Sequence, residues 1–341
     1  MKAAIIGGSG YVGGELLRLL LRHPDVEVVQ VTSDSMAGKS VGRAHPNLRK
    51  ATDLRFVPHA ARAPADVTFL ATPHGQSMGV MPEVLAYGGI VIDLSADFRL
   101  RDARAYPTYY RTEHPHPELL AEAVYGLPEL HRESLRSARL IAVPGCIATA
   151  SILALQPLAS AGRLDREHVV VDAKTGSSAG GQDPGPAGSH AERSGVMRAY
   201  SAAGHRHTAE IEQETGLRVA LSCHAVEAVR GILATCHGFV SGPLDEKELW
   251  RIYRSAYGTE PFVRIVHESD GIHREPEPKG LSGTNFCEVG FAPDPHASRV
   301  VAIAAIDNLM KGSAGNAVQC LNVRAGLPEA TGLDFLGLHP L

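Results

Sequence analysis

The chain opens "MKAAIIGGSGYVGGELLRLLLRHPDVEVVQVTS", and this stretch constrains the fold more than any other. "KAAIIGG" (2–8) is a nearly continuous apolar run, the pattern of a strand buried on both faces. It leads through Gly7, Gly8, Gly10 and Gly13 into "GGELLRLLLRH", where leucines at 16, 17, 19, 20 and 21 predict a helix that Pro24 stops. Gly8, Gly10 and Gly13 satisfy the spacing GxGxxG. At a strand–loop–helix junction such glycines allow a tight turn and a close approach of backbone to a ligand. The helix N-terminus then offers N–H donors to a pyrophosphate. A merely tight turn is the competing reading.

The same texture repeats along the first 150 residues, in "VEVVQVT" (26–32), "DVTFLAT" (66–72), "GIVIDLS" (89–95) and "RLIAV" (139–143). Strand and helix alternating in this way predict a doubly wound parallel sheet with right-handed crossovers. After about residue 155 the candidates "HVVVDAKT" (168–175), "RVALSCHAV" (218–226), "GILATCHGFV" (231–240), "PFVRIVH" (261–267) and "SRVVAIAAID" (298–307) alternate more. Alternation fits an antiparallel sheet covered on one face. The fold class expected is therefore α/β: a Rossmann-type doubly wound parallel sheet plus an α+β domain with a largely antiparallel sheet. The stretches 175–189 and 274–283 read as long loops, and "SAGNAVQCLNVRAG" (313–326) as a last helix capped by Ser313 and ended by Gly326.

With 341 residues, 44% hydrophobic and 21% charged, the chain has room for two globular domains. A net charge of -4 argues against nucleic acid as a partner, and no run of about 18 apolar residues predicts a membrane span. The N-terminus lacks the layout of a signal peptide and enters a strand at once. The five cysteines form no CxxC pair. An odd, sparse set suits a reducing compartment, so the cytoplasm is the expected location.

Cys146 follows Pro144-Gly145 and precedes "IATASILAL", which places it at or near the start of a helix. There the partial positive charge and unpaired N–H groups favour a thiolate, while a small buried residue is the equal alternative. "GHRHTAEIEQETG" (204–216) brings His205, Arg206 and His207 to the head of a short polar helix. A neutral imidazole is the usual base for a thiol nucleophile. Without a third nearby ligand the pair does not make a metal site, so no metal is expected. Cys223-His224 and Cys236-His237 lie inside strand candidates and point to opposite faces. Arg99, in "LSADFRL" at a strand's carboxyl end, either grips a phosphate or makes an ordinary ion pair. After the second strand, Asp34 stands where an acid holds a ribose 2′-hydroxyl, and Ser33, Ser35 and Lys39 suit a 2′-phosphate. These residues leave NAD and NADP both open.

Taken in order, "IIGGSGYVGGELLRLL", "DLSADFRL", "YGLPEL", "VPGCIATASILAL", "GHRHTAEIEQ", "VRGILATCHGFV", "GTNFCEVGF" and "AIDNLMKGSAGNAVQCLNVRAGL" resemble the N-acetyl-γ-glutamyl-phosphate reductase family across essentially the whole chain. The chain is most similar to the branch serving lysine biosynthesis through α-aminoadipate, whose substrate rides on an acidic carrier protein of the LysW type. The resemblance implies NADPH-dependent reduction of a carrier-bound aminoadipyl 6-phosphate to the semialdehyde, through a cysteine thioester. The alternative is the N-acetylglutamyl-phosphate reductase of arginine synthesis, or one enzyme doing both. A non-catalytic dinucleotide sensor is a third class, and the joint presence of Cys146 and the HRH motif speaks against it.

Carried over by position, Cys146 is the nucleophile and His205 the acid/base, with Arg99, His207 and Glu210 orienting substrate. Ser9, Gly10, Tyr11, Val12, Gly13, Ser33, Asp34, Ser35 and Asn308 would hold the cofactor. NADP is the implied cofactor, with NAD kept open by Asp34. The motif order implies a dinucleotide domain of residues 1–147 and 311–341 around a catalytic and dimerisation domain of 148–310, in a homotetramer or dimer.

Overall fold

Six short apolar runs pair into one parallel sheet: β1 (Lys2–Ile6), β2 (Glu27–Thr32), β3 (Val67–Leu70), β4 (Ile90–Asp93), β5 (Ala123–Tyr125) and β6 (Leu140–Ala142). The structure, a computed structural model, describes residues 1–340 apart from Pro184 and Ser241. Strand order is β2-β1-β3-β4-β6-β5, with every pairing parallel. All four residues of β3 and all three of β6 are buried, as continuous apolar runs demand. The chain leaves β1 toward one side and returns past it to β3 on the other. Their carboxyl ends therefore form the switch point at which open α/β sheets bind ligands.

Seven further strands make a second sheet: β7 (Val169–Thr175), β8 (Met197–Ser201), β9 (Val219–Val226), β10 (Ile232–Phe239), β11 (Val263–Ile265), β12 (Cys287–Asp294) and β13 (Arg299–Ile306). Their order is β11-β12-β13-β10-β7-β9-β8. Only β11 with β12 and β7 with β9 run parallel, so the sheet is mixed and largely antiparallel. Burial alternates along β10: Ile232, Ala234 and Cys236 are interior, while Leu233, Thr235 and His237 are half-exposed.

The covering layer is the helix Cys146–Ser160, apolar on nearly every side, with the helices His207–Thr215 and Glu246–Tyr257 against it. Pro157 lacks the N–H that would bond the Leu153 carbonyl, and the Tyr257 hydroxyl donates to that oxygen instead at 2.8 Å. Tyr253 donates to the next carbonyl, Ala154, at 2.7 Å. A proline inside a buried helix is tolerated here because a neighbouring helix satisfies the group it leaves open.

The chain divides into two compact units, Met1–Pro144 with Ser313–Asp334, and Gly145–Gly312 with Phe335–Leu341. The tail after Asp334 thus goes with the second unit, whereas the sequence assigns everything after 310 to the first. The ring of Phe335 lies beside Gly283, and His339 meets His273 with ring centroids 5.7 Å apart. Leu341 lies outside the described residues. The return segment begins with a π-helical turn, Met310–Ala314, and the α-helix proper is Gly315–Ala325. Ser313 is therefore inside a turn and not the cap that its position suggests. Gly326 does end the helix, in the left-handed conformation at φ +70°. Among the described residues no helix is long and apolar enough to cross a membrane.

Candidate active site

In the first unit the glycine loop leaves β1 at the switch point. Gly7 takes φ +85°, and a Cβ there would stand 2.6 Å from the Ala71 carbonyl oxygen, on the chain leaving β3. A Cβ on Gly8 would overlap Val31, and one on Gly13 would lie 2.5 Å from Gly8 Cα. These three glycines are demanded by the protein's own packing. Gly10 is different: beyond its neighbours in the chain, nothing comes within 4 Å of where its Cβ would be. It is the N-cap of the helix Tyr11–Leu20 and provides no side-chain cap, so the N–H groups of the first turn, from Tyr11, Val12 and Gly13, face an open cradle. Such a cradle fits the pyrophosphate of a dinucleotide, which needs backbone at that distance.

Ser9, Ser33 and Ser35 come together beside the loop. The Ser9 and Ser33 hydroxyl oxygens are 2.8 Å apart, and those of Ser33 and Ser35 are 3.3 Å apart. Asp34 does not join them. Its carboxylate accepts the His59 backbone N–H at 2.7 Å. Arg99 is interior, only 6% exposed, and donates from Nε to the Val143 carbonyl (2.7 Å) and from Nη2 to the Leu94 carbonyl (3.0 Å). These bonds join the ends of β4 and β6.

The second unit carries the thiol. Cys146 is the first residue of its helix, with Gly145 as N-cap and no side chain capping the turn. No disulfide joins the five cysteines, and Cys146 is half-buried while the other four are buried. Burial pushes the Cys223 thiol up to about 11, the direction expected of an inert core cysteine. Two glycines frame Cys146. At Gly145 an added Cβ would overlap the His207 ring, and at Gly312 it would lie 2.7 Å from Cys146 Cβ. Gly312 sits in the π-turn, a rare element that clusters at functional sites.

Glu210, fully buried, accepts the Gly145 N–H at 2.9 Å, and its other oxygen lies 3.8 Å from His207 Nε2. His205 meets His207 edge-on, with centroids 4.6 Å apart, and its Nδ1 accepts the His207 N–H at 3.2 Å. Burial first, and then the Arg206 charge, lower the His205 imidazole to about 4, so it is neutral at physiological pH. Cys146, His205, His207 and Glu210 thus assemble around one helix start. The imidazole laid directly on Gly145 is His207, and His205 packs on that ring.

Asn308 is held by other partners. Its amide accepts the Gly231 N–H at 2.8 Å and donates to Ser178 Oγ at 3.0 Å, pinning the loop after β7 to the start of β10. Gly145 and Gly312 were not legible as site residues. Their role comes from what a Cβ would strike, and no spacing in "VPGC" or "MKGSAG" announces it.

The pattern of the semialdehyde dehydrogenase NAD binding domain matches residues 2–138, and that of the semialdehyde dehydrogenase dimerisation domain matches 146–308. A protein of Thermomicrobium roseum named putative LysW-L-2-aminoadipate 6-phosphate reductase is 56% identical over 350 positions, covering 100% of this chain and 99% of its own. One from Haloquadratum walsbyi, named putative LysW-L-2-aminoadipate/LysW-L-glutamate phosphate reductase, is 52% identical across 99% of this chain and 98% of its own. The crystal structure of aspartate semialdehyde dehydrogenase II from Vibrio cholerae superposes with a TM-score of 0.73 at 18% identity, over 95% of this chain and 98% of that one. A parallel nucleotide-binding sheet, a mixed second sheet and end-to-end relatives agree: the chain belongs to the semialdehyde dehydrogenase family.

Proposed function

We propose that this protein reduces a carrier-bound L-2-aminoadipate 6-phosphate to the semialdehyde with release of phosphate, as the name of the Thermomicrobium relative describes for that protein. The observation that carries the chemistry is Cys146, the one half-buried thiol, framed by Gly145 and Gly312 at an uncapped helix start with His207 and Glu210 against it. A helix N-terminus favours the thiolate. Its sulfur attacks the acyl carbon, the carbon–oxygen bond to phosphorus breaks, and inorganic phosphate leaves a thioester on Cys146. His205, neutral at physiological pH, accepts the thiol proton, gives it to the oxygen of the reduced carbon, and takes it back as the carbon–sulfur bond breaks, freeing the aldehyde and the Cys146 thiolate. Glu210 holds the Gly145 N–H and thereby the approach to Cys146, while His207 and Arg99 keep the flanking main chain in place.

When bound, the dinucleotide supplies the hydride that takes the thioester to the aldehyde level. Gly10, Tyr11, Val12 and Gly13 would hold its pyrophosphate, with Asn308 bracing the second unit. The cluster of Ser9, Ser33 and Ser35, with Asp34 turned to His59, supports NADP over NAD. An acidic carrier is supported by the LysW carrier in the names of the Thermomicrobium and Haloquadratum relatives. The family's dimerisation domain supports a homo-oligomer, dimer or tetramer, and five cysteines outside any disulfide suit the cytosol.

A second substrate, the carrier-bound glutamyl phosphate, is favoured by the double name of the Haloquadratum relative. The test is turnover with carrier-bound aminoadipyl phosphate, carrier-bound glutamyl phosphate and free N-acetylglutamyl phosphate, each with NADPH and NADH. Preference for the first with NADPH is expected. Equal or better turnover of the free N-acetylated compound would overturn the carrier-bound assignment.

A further inference from the structure

The glycine loop of the first unit rests on a histidine that the reaction does not use. His45, 8% exposed, follows the short helix Val41–Ala44, and its Nε2 lies 2.8 Å from the Gly8 carbonyl oxygen. A carbonyl only accepts, so the ring carries its proton on Nε2. The opposite edge of the ring fills the space beside Gly14, where an added Cβ would lie 2.5 Å from Nδ1 and 2.6 Å from Cε1. Phe56, 1% exposed, backs the ring with centroids 6.4 Å apart. One side chain thus touches the loop where it leaves β1 and again in the first turn of the helix.

The consequence follows from peptide planarity. The C=O of Gly8 and the N–H of Ser9 belong to one peptide unit, and in a trans peptide they point in opposite directions. Drawing the Gly8 oxygen inward onto His45 turns the Ser9 N–H outward, toward the cradle beside Gly10. The Gly8 N–H is held as well, by the Thr32 carbonyl at 2.9 Å, so neither polar group of Gly8 is free to swing.

We propose that His45 is a positioning residue for dinucleotide binding, which sets the Ser9 peptide plane and the helix start so that their N–H groups face the pyrophosphate. This rests on the dinucleotide reading of the loop. The test measures, on the full chain, NADPH dissociation constants, steady-state kinetics and the rate of iodoacetamide alkylation at Cys146, for wild type, His45→Ala, His45→Phe and His45→Gln. Thermal unfolding of each variant is followed in parallel.

Leaving the Gly8 carbonyl without its buried donor is expected to weaken NADPH binding about tenfold to a hundredfold in the Ala and Phe variants. KM for NADPH rises by the same factor, kcat at saturation stays within about twofold, and Cys146 alkylation is unchanged. Gln, which retains a donor, recovers part of the affinity. His45→Phe separates the hydrogen bond from the space it fills. Affinity within twofold of wild type in both Ala and Phe variants would overturn the assignment, as would equal losses in affinity, kcat and alkylation. If wild type itself binds neither NADPH nor NADH, the dinucleotide reading fails first, and the two failures are told apart.

Discussion

Cys146 is defined as much by the two residues without side chains beside it as by its own sulfur. A methyl group on Gly312 would stand 2.7 Å from Cys146 Cβ, which hangs directly on the helix backbone and has no rotamer by which to yield. Gly312→Ala is therefore expected to shift the thiol by about 1 Å and lower kcat about a hundredfold, with NADPH binding retained. Kinetics beside a cofactor titration check this, and an unchanged kcat would contradict it. His205 makes a separate prediction. Its imidazole is held near 4 instead of the usual 6.5, so the neutral form persists as pH falls through the range where an ordinary histidine would gain its proton. The acid limb of kcat/KM assigned to this residue should lie near 4, and its shape should change in His205→Asn. A limb near 6.5 lost in that variant would show an unshifted base. The cysteine and the histidines were legible because "PGC" ahead of an apolar run and "HRHT" ahead of a polar one are local signals. The framing glycines were not, since their necessity arises from contacts distant in sequence.

At the scale of elements, most apolar runs declared themselves, but the interior strand β12 was missed, whereas the three-residue edge strand β11 was expected within 261–267. The expected strands β1 to β4 and β6 lie within a residue or two of their runs, but β5 has three residues at a sheet edge, too few to show a period. β8 is likewise an edge strand, and its mostly exposed "MRAYS" has no apolar face to reveal it. The helix Glu246–Tyr257 had a readable signal, Asp245 capping it through the Glu248 N–H at 2.7 Å and Leu249, Tyr253 and Tyr257 buried at every fourth residue. Its tyrosines act on the helix that carries Cys146. Tyr257→Phe leaves the Leu153 carbonyl without its donor and is expected to destabilise the protein by about 1–3 kcal/mol, read from the denaturant midpoint. Cys146 alkylation should stay at the wild-type rate, because Leu153 lies two turns from the thiol. A faster or slower alkylation would mean that the bond also sets the helix start.

For the whole molecule, the pattern of elements showed the class of each unit, while the path of the tail after Asp334 depended on contacts such as Phe335 beside Gly283. One buried acid ties the stability of the first unit to pH. Asp93 is fully buried among Ser77, Ser95 and Asp97, and burial first, then the Asp97 charge, push its carboxyl up to about 7. A folded value above the unfolded 3.8 means that the native state keeps a proton the unfolded chain has released. Its contribution to stability is full below the unfolded value and is lost as pH rises through about 7. The denaturant midpoint of wild type relative to Asp93→Asn should therefore fall between pH 5 and 8, and a rising difference would contradict this sign.

Acyl transfer to Cys146 is the central step of the proposed reaction. The measurement is intact and peptide mass after mixing the enzyme with carrier-bound aminoadipyl phosphate, generated in place by its kinase and ATP, with no dinucleotide present. Release of phosphate is expected, with an adduct of the acyl carrier on the peptide holding Cys146 that hydroxylamine discharges and that is absent in Cys146→Ser. Phosphate release and reduction that persist in Cys146→Ser, or an adduct on another residue, would contradict this.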